Sequence, residues 1–570
     1  QRSAILLLII SLILIVLSII IGHFFILKPN KNEYKNERCT SKNEAYEIRG
    51  DSILGKYSHA AVAVDNEQCS KIGTEILLKG GKAMDAAIAS SLCNGILNTH
   101  SMGIGGGCVI LIYSKRQRKA YSIIQRETAP LASNYTILQG KENITFIGPL
   151  SIGIPGELLA YDKAYKEFGG GVSWSTLFLQ QFVYVKKDFQ EIFVKNHLTN
   201  ELYKEGDIMK RIKLAQTLRQ IAKEGVQTFY NGDLAKKIIN EIQKRGGILT
   251  LEDLREYDID FHEAISIDLN NSFKAFTSLA PSSGPILAFI LNIISGYNFH
   301  SNDLNNIEKT GLFYHRLIET FKFAFAKKLQ LGDPISINLT QLMINLTSKE
   351  YAQSIRQKIN DEKTFSEEYY GDNMKKVLSG GGTAHISIVD QYGDAVGITS
   401  TINSYFGSTI VGEETGIIYN NQLDDFSRDQ SINSNESIRN SISPGKRPIS
   451  SKAPLIIIDN KENIRQVLGA AGGSKIVTSI AQVCLLNLLF EKNIKESIDY
   501  PRIHHHLHPN EIIFEQPFNR NILNELKRRG HNVTCMSYGS TVVQGIEWRP
   551  GDHQYWANSD IRKGGSPYGY

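Results

Sequence analysis

The chain is poor in the residues from which metal centres and nucleic-acid grips are built. It carries six cysteines in 570 residues: Cys39, Cys69, Cys93, Cys108, Cys484 and Cys535. No two of them stand as Cys-x-x-Cys, which argues against the common zinc frameworks. The count leaves room for one or two disulfides in an oxidising compartment, and Cys484, inside the apolar run from Ile480 to Phe490, reads as core. The formal net charge is only +5, and no basic stripe is interleaved with aromatics, so no nucleic-acid partner is expected. No internal repeat is found. The glycine run Gly103-Ile104-Gly105-Gly106-Gly107 resembles a dinucleotide loop, but the pattern fails at Cys108 and no strand leads into it. The histidines of His504-His505-His506-Leu507-His508 cannot all face one ion on regular structure, and the segment reads as a solvated loop. No metal and no organic cofactor are expected.

The N-terminus supplies one long hydrophobic run. Ala4 to Ile21 is unbroken, and Gly22 to Leu27 nearly extends it. A bilayer core takes roughly 20 apolar residues as helix, whereas a cleaved signal has a core of about 7–15. Residues 4–27 are therefore expected to be a retained transmembrane signal anchor. Residues 1–3 would be a short, truncated cytoplasmic end, because the chain opens on Gln rather than Met. Residues 28–57, with their Asn, Lys and Glu, read as a polar stalk. Charge alone argues for the opposite orientation, since Lys28, Lys31, Lys35 and Arg38 follow the span and only Arg2 precedes it. Seven Asn-x-Ser/Thr sequons favour a glycosylated, extracellular body at the cell membrane, single-pass type II: Asn134, Asn143, Asn270, Asn338, Asn345, Asn435 and Asn532.

The globular body is expected from near Ala60. Helices are predicted over 71–79 and 83–97, separated by Gly80-Gly81, and strands over 108–113 and 120–124. The stretch 155–375 is mostly helical in pattern, with clear periods at 214–224, 233–245 and 311–328. The pattern changes after Ser379-Gly380-Gly381-Gly382. Strands are then predicted over 383–390, 395–401, 454–459 and 464–468, followed by a helix over 475–490. Helices first and paired strands next give an α/β (α+β) chain with layered sheets.

One dipeptide in this second part can carry chemistry. A threonine hydroxyl is a weak nucleophile and needs a base. An α-amine on the same residue can serve, with a reference pKa of about 7.7–8.0. Thr383 would acquire that amine only if the chain broke after Gly382. Glycine there tolerates the strained backbone that lets the Thr383 oxygen reach the Gly382 carbonyl. By itself Gly-Gly-Thr is an ordinary turn into a strand.

The surroundings give it weight. Gly382-Thr383-Ala384-His385-Ile386-Ser387 is followed by Thr399-Ser400-Thr401-Ile402-Asn403, Asn420-Asn421-Gln422-Leu423-Asp424-Asp425-Phe426, Pro444-Gly445-Lys446-Arg447-Pro448-Ile449-Ser450-Ser451 and Gly469-Ala470-Ala471-Gly472-Gly473. The chain closes with Ser559-Asp560-Ile561-Arg562-Lys563-Gly564-Gly565. Upstream lie His100-Ser101-Met102-Gly103 and Arg126-Glu127-Thr128-Ala129-Pro130. In this order and spacing, from about residue 58 to Tyr570, the set resembles the γ-glutamyltransferases, members of the N-terminal nucleophile hydrolases.

The resemblance implies a four-layer αββα fold. It implies a precursor cut between Gly382 and Thr383 into a large subunit (58–382) and a small subunit (383–570). Thr383 would be the nucleophile, hydrogen-bonded by Thr401. The substrates would be glutathione and its conjugates, with water or an amino-acid or dipeptide acceptor taking the γ-glutamyl group. Arg126, Ser450 and Ser451 suit the donor's α-carboxylate. Asp425, Asn403 and Gln422 suit its α-ammonium, Gln422 without the formal charge that some members carry there. Gly472 and Gly473 would present backbone N–H groups to the oxyanion; without the resemblance they read as a helix entry capped by Ser474. Cys69 and Cys93 match the family's first disulfide. The second pair of vertebrate members has no counterpart, and the segment 188–215 is shorter than expected. Two rival readings share the scaffold: an acylase-type N-terminal nucleophile amidase, which would not need Arg126, Asp425 and Ser450-Ser451, and a catalytically silent surface protein, which would not need Thr383 or Gly472-Gly473.

Overall fold

A computed structural model describes residues 51–134, 146–179, 194–196, 201–202, 211–269, 272–371, 381–427, 439–536 and 539–570. The anchor, the larger part of the stalk, Cys39, Asn143, Asn270, Asn435 and most of the 188–215 segment lie outside these residues.

Two seven-stranded, antiparallel sheets form the centre. In the first, the strands lie in the order Tyr568–Gly569, Ala61–Val64, Gly382–Val389, Ala395–Asn403, Gly107–Ser114, Lys119–Gln125, Phe261–Glu263. In the second the order is Leu54–Tyr57, Gln554–Ser559, Val542–Arg549, Ile464–Ala471, Leu455–Asp459, Phe273–Thr277, Ile265–Leu269. The sheets face one another through Ala61, Leu111, Ile456, Val467 and Ile546, all fully buried. Helices Ala83–Leu97 and Glu157–Phe168 pack on the outer face of the first sheet, with Asp233–Gln243 in the same core. Helices Gly284–Ile294, Ile307–Lys328 and Ile476–Phe490 pack on the outer face of the second. The layers are therefore α, β, β, α, as the resemblance implies.

The predicted elements match in kind and nearly in extent, with instructive differences. The body begins earlier than residue 58: Leu54–Tyr57, placed in the stalk from its polar neighbours, is an edge strand paired with Gln554–Ser559. The stretch 155–375 contains three short strands, Phe261–Glu263, Ile265–Leu269 and Phe273–Thr277. Two of these are edge strands with exposed positions, too brief to show a period. The His504 segment is not solvated: His504 and His505 are buried, and His504 Nδ1 bonds Thr478 Oγ1 at 2.7 Å. No side chain caps the helix Ile476–Phe490; a 3-10 turn, Gly473–Lys475, leads into it where Ser474 was expected to cap. That helix, with its entry turn, is the one described element long and apolar enough to cross a membrane, and it is mostly buried core. Cys484 lies in it, buried and unbridged. Cys69 and Cys93 form the expected disulfide, joining helices Glu67–Leu78 and Ala83–Leu97.

The strand Gly382–Val389 explains why polarity alternates in a segment that is wholly buried. Ala384, Ile386 and Ile388 are apolar, and Ile386 and Ile388 join the helix-side core. His385 and Ser387 point the other way, between the sheets, and bond each other and their neighbours. His385 Nδ1 meets Thr399 Oγ1 at 2.9 Å, His385 Nε2 meets Ser387 Oγ at 3.0 Å, and Ser387 Oγ donates to the Gln544 carbonyl at 3.2 Å. Buried polar groups persist where they find such partners. Burial lowers the His385 pKa to about 3, so the ring is neutral at physiological pH. Its ring also fills the space beside Gly469: a Cβ there would lie 2.1 Å from the imidazole Cε1. Gly469→Ala should therefore wedge the two sheets apart and lower stability by about 1–3 kcal/mol. Combining it with His385→Ala should recover part of the loss, as read by denaturant midpoints; strictly additive losses would contradict the contact.

Candidate active site

The pairing of Gly382–Val389 with Ala395–Asn403 is bulged on the partner strand: Gly382 pairs with Asn403 and Ala384 with Ser400, so Thr401 and Ile402 stand opposite the single residue Thr383. A bulge re-aims the local side chain. Here Thr383 Oγ1 donates to the carbonyl oxygen of Gly382 at 2.7 Å. The Thr401 hydroxyl donates to the same oxygen. Thr401 was expected to bond the Thr383 hydroxyl; with the Gly382–Thr383 peptide intact, the carbonyl stands in that place instead. Thr401 Oγ1 in turn accepts from the Asn403 N–H at 2.8 Å, and Asn403 is held at a positive φ of 76°.

A short chain of contacts runs from there to the charged residues. Asn403 Nδ2 donates to the Asn421 carbonyl at 3.1 Å. Next in sequence is Gln422, whose Nε2 donates to Asp425 Oδ2 at 2.9 Å. Gln422 Oε1 is buried with no hydrogen-bond partner among the described residues. Asp425 Oδ2 also accepts from Arg126 Nη2 at 2.5 Å. Arg126 is almost wholly buried and donates further to the carbonyls of Pro448 and Ile449 at 3.2 and 3.0 Å. Ser450 follows directly, its N–H bonded to the Pro281 carbonyl at 2.8 Å and its carbonyl to Ser283 Oγ at 2.6 Å. Ser451 is half-buried, and its Oγ accepts from Lys328 Nζ at 2.6 Å.

Arg126, Asp425, Gln422, Ser450 and Ser451 thus form one charged pocket wall, tied through Asn403 to Thr401, Gly382 and Thr383. Gly472 and Gly473 come from the opposite sheet, at positive φ of 130° and 59°. Their strand, Ile464–Ala471, packs face to face on Gly382–Val389, but no hydrogen bond joins them to this chain of contacts among the described residues. Their backbone N–H groups open a helix, where donors are unpaired and the dipole favours negative charge.

Four charged residues at the site were missed from sequence. Lys563 Nζ donates to the Thr383 carbonyl at 3.0 Å and pairs with Asp65 at 2.8 Å; it stands in the closing motif, but nothing local marks it out. Glu127 is fully buried, 3.8 Å from Arg126, and desolvation pushes its carboxyl pKa up. Lys452, also buried, donates to the Gly107 carbonyl at 2.9 Å, and desolvation draws its pKa down. Lys328 comes from a helix whose periodic pattern gave no hint of a site.

Among the described residues, His315, Glu319 and His531 are the group that could hold a metal ion. Their lone pairs are already engaged. Glu319 accepts from Thr364 at 2.7 Å and Tyr370 at 2.6 Å and pairs with Lys322 at 3.1 Å, while His315 Nδ1 and His531 Nε2 share a proton at 2.8 Å.

The four layers define the N-terminal nucleophile hydrolase fold. The same architecture is found in a cephalosporin acylase from Bacillus halodurans, at a TM-score of 0.79 and 23% identity over 93% of this chain and 99% of that one. The family model for Gamma-glutamyltranspeptidase matches residues 69–187 and 179–570, and the chain belongs to that family. It is 37% identical over 540 residues to Scoloptoxin SSD14 of Scolopendra dehaani, spanning 90% of this chain and 93% of that protein. It is 35% identical to Glutathione hydrolase 2 of Arabidopsis thaliana (90% and 94%) and 32% identical to the mouse Glutathione hydrolase 5 proenzyme (90% and 93%).

Removing one partner of a buried ion pair costs more than the pair contributes, because the other charge stays buried. Asp425→Ala should therefore lower unfolding stability by about 3 kcal/mol, read as a shift in the denaturation midpoint. A midpoint equal to that of the native chain would mean that Glu127 alone compensates Arg126.

Proposed function

We propose that the chain is a γ-glutamyltransferase and glutathione hydrolase that matures by cutting itself between Gly382 and Thr383. The observation that carries this reading is the Gly382 carbonyl, whose oxygen takes hydroxyl donors from both Thr383 and Thr401. The Thr401 donor draws electron density from the carbonyl carbon and would stabilise the charge that develops on the oxygen during attack; the Thr383 hydroxyl gives up its own bond as it attacks, and its proton passes to the leaving Thr383 nitrogen. The attacking atom, Thr383 Oγ1, belongs to the next residue. Attack converts the peptide into an ester and frees the Thr383 amine; water then cleaves the ester, leaving Gly382 as a new carboxyl terminus.

Thr383 now holds nucleophile and base on one residue. Its amine takes the hydroxyl proton as Oγ1 attacks the γ-amide carbonyl of glutathione or a conjugate, with the N–H groups of Gly472 and Gly473 receiving the oxyanion. The amine returns the proton to the leaving cysteinylglycine nitrogen, and a γ-glutamyl ester remains. Water releases glutamate, or an amino-acid or dipeptide amine takes the group. Arg126, Ser450 and Ser451 receive the α-carboxylate. Asp425, the Oε1 of Gln422 and the side chain of Asn403 receive the α-ammonium. The unpartnered Gln422 Oε1 supports this assignment, since a buried acceptor without a donor is costly until a cationic N–H arrives. No step calls for a metal or cofactor.

We also propose that the body faces outward from a membrane to which residues 4–27 tether it. Of the sequons within the described residues, Asn134, Asn338 and Asn532 are exposed and Asn345 is half-buried, so none is closed to a glycan.

Thr383→Ala should abolish both maturation and turnover, leaving full-length chain on a denaturing gel. In the native enzyme, N-terminal sequencing of the small fragment should begin at Thr383; cleavage persisting in the variant would sink the assignment. Arg126→Lys should leave maturation intact but raise KM for the donor about tenfold, the fork being replaced by a point charge; an unchanged KM would remove Arg126 from the site.

A further inference from the structure

Lys328 ends the long helix Ile307–Lys328 directly behind the pocket wall, and it is 4% exposed. Burying an ammonium without a carboxylate partner is costly, and among the described residues no carboxylate lies within ion-pair distance of it. Its ammonium donates a hydrogen bond to Ser451 Oγ, at 2.6 Å. The polarity of that bond is fixed. An ammonium has three donors and no acceptor, so Ser451 Oγ must accept, and its own O–H must point elsewhere. Ser451 is half-buried.

The charge balance points the same way. A zwitterionic head group needs an anion for its ammonium and a cation for its carboxylate. In the free protein Asp425 already pairs with Arg126 at 2.5 Å, so the one pair largely cancels. A second buried cation is what leaves the carboxylate side positive.

We propose that Lys328 is a positioning residue for the γ-glutamyl donor: held against Ser451 Oγ, it turns the Ser451 hydroxyl outward as a donor to the donor's α-carboxylate and supplies a second positive charge behind it. This rests on the reading of Ser451 given above.

The groups facing Lys328 come from several elements. Asp425 on the Gln422–Asp425 turn favours its charge, and Arg126 opposes it. His504 and His506 feel its field together with that of Lys475, and both rings are neutral near pH 7, burial drawing their pKa values down. The Phe325 ring lies 5.4 Å away. Desolvation dominates and lowers the Lys328 pKa to about 8. The charge is present below that pH and is lost as pH rises through it.

The test uses the mature enzyme, with cleavage checked on a gel, and glutathione as donor. Lys328→Met should raise KM about tenfold with kcat changed less than twofold, the loss expected for one charge-assisted hydrogen bond. Lys328→Arg, which keeps the charge, should restore most of the affinity. In the native enzyme KM should climb above about pH 8 relative to Lys328→Arg, whose cation does not titrate; titration of the donor's own amine cancels in that comparison. Ser451→Ala alone reads the head-group assignment, and adding Lys328→Met to it should raise KM little further. A Ser451→Ala effect with Lys328→Met at native KM would overturn the role of Lys328 while leaving Ser451 in place. No effect of Ser451→Ala would overturn the Ser451 reading itself. Fully additive KM losses would show that Lys328 does not act through Ser451.

Discussion

The arrangement turns on one carbonyl oxygen. The Gly382 oxygen is bonded by the hydroxyls of Thr383 and Thr401, and those bonds form where the partner strand Ala395–Asn403 bulges, setting Thr401 and Ile402 opposite Thr383. In a regular antiparallel register Gly382 would give its carbonyl to a ladder N–H, and Thr383 would simply alternate with its neighbours. The extra residue releases that carbonyl from the ladder and leaves it to the two side chains. Glycine at 382 is part of the same device: a Cβ there would lie 3.0 Å from the backbone oxygens of both Asn403 and Ser404, so a larger residue would push the strand away from Thr401.

The topology makes a break at that point harmless to the fold. In the first sheet, Gly382–Val389 and Ala395–Asn403 lie between Ala61–Val64 and Gly107–Ser114, while Tyr568–Gly569 covers the far edge of Ala61–Val64. In the second sheet the four strands from 455 to 559 are flanked by Leu54–Tyr57 on one side and by Phe273–Thr277 and Ile265–Leu269 on the other. Both sheets, and the helical layer outside the second, mix residues from before and after position 382. Separating the two pieces would expose both sheet edges and the buried face between the sheets, so the hydrophobic and hydrogen-bond terms that fold the precursor also hold the nicked product. The new N-terminus can therefore form without displacing the residues around it.

How much of this was legible in the sequence depends on how local the information is. The strand pair around the turn at Tyr392-Gly393-Asp394, the helices at 83–97 and 307–328, and the glycine before Thr383 declare themselves through periodicity and turn chemistry. The edge strand Leu54–Tyr57 does not, because its pairing partner lies some five hundred residues away. Polar alternation in 383–389 was a fair sign of a strand but a poor sign of exposure, since His385 and Ser387 find their partners in Thr399 and Gln544. The histidines at 504–506 misled for the same reason: their solvation is replaced by Thr478 and by one another. Residues carried by a motif, such as Arg126, Asp425 and Ser451, could be named in advance. Lys328, which touches Ser451 only after folding, could not.

The charged wall also bears on which amides could be accepted. Asp425 is bonded to Arg126 and Gln422 in the free protein, so a ligand entering the pocket must displace or share those bonds. A γ-glutamyl group brings a carboxylate for Arg126 and an ammonium for Asp425, exchanging one satisfied ion pair for two. A simple acyl chain brings neither. It would cover the pair with apolar surface, strip the water that reaches Asp425 at its 16% exposure, and leave Gln422 Oε1 unpartnered. Sites built around buried polar groups reject ligands that leave those groups unpaired by factors of roughly 10⁴ or more. On the proposed roles, the likeness in fold to an acylase would not extend to what the site holds, because selectivity would lie in two charges and one amide oxygen rather than in the sheets that carry them.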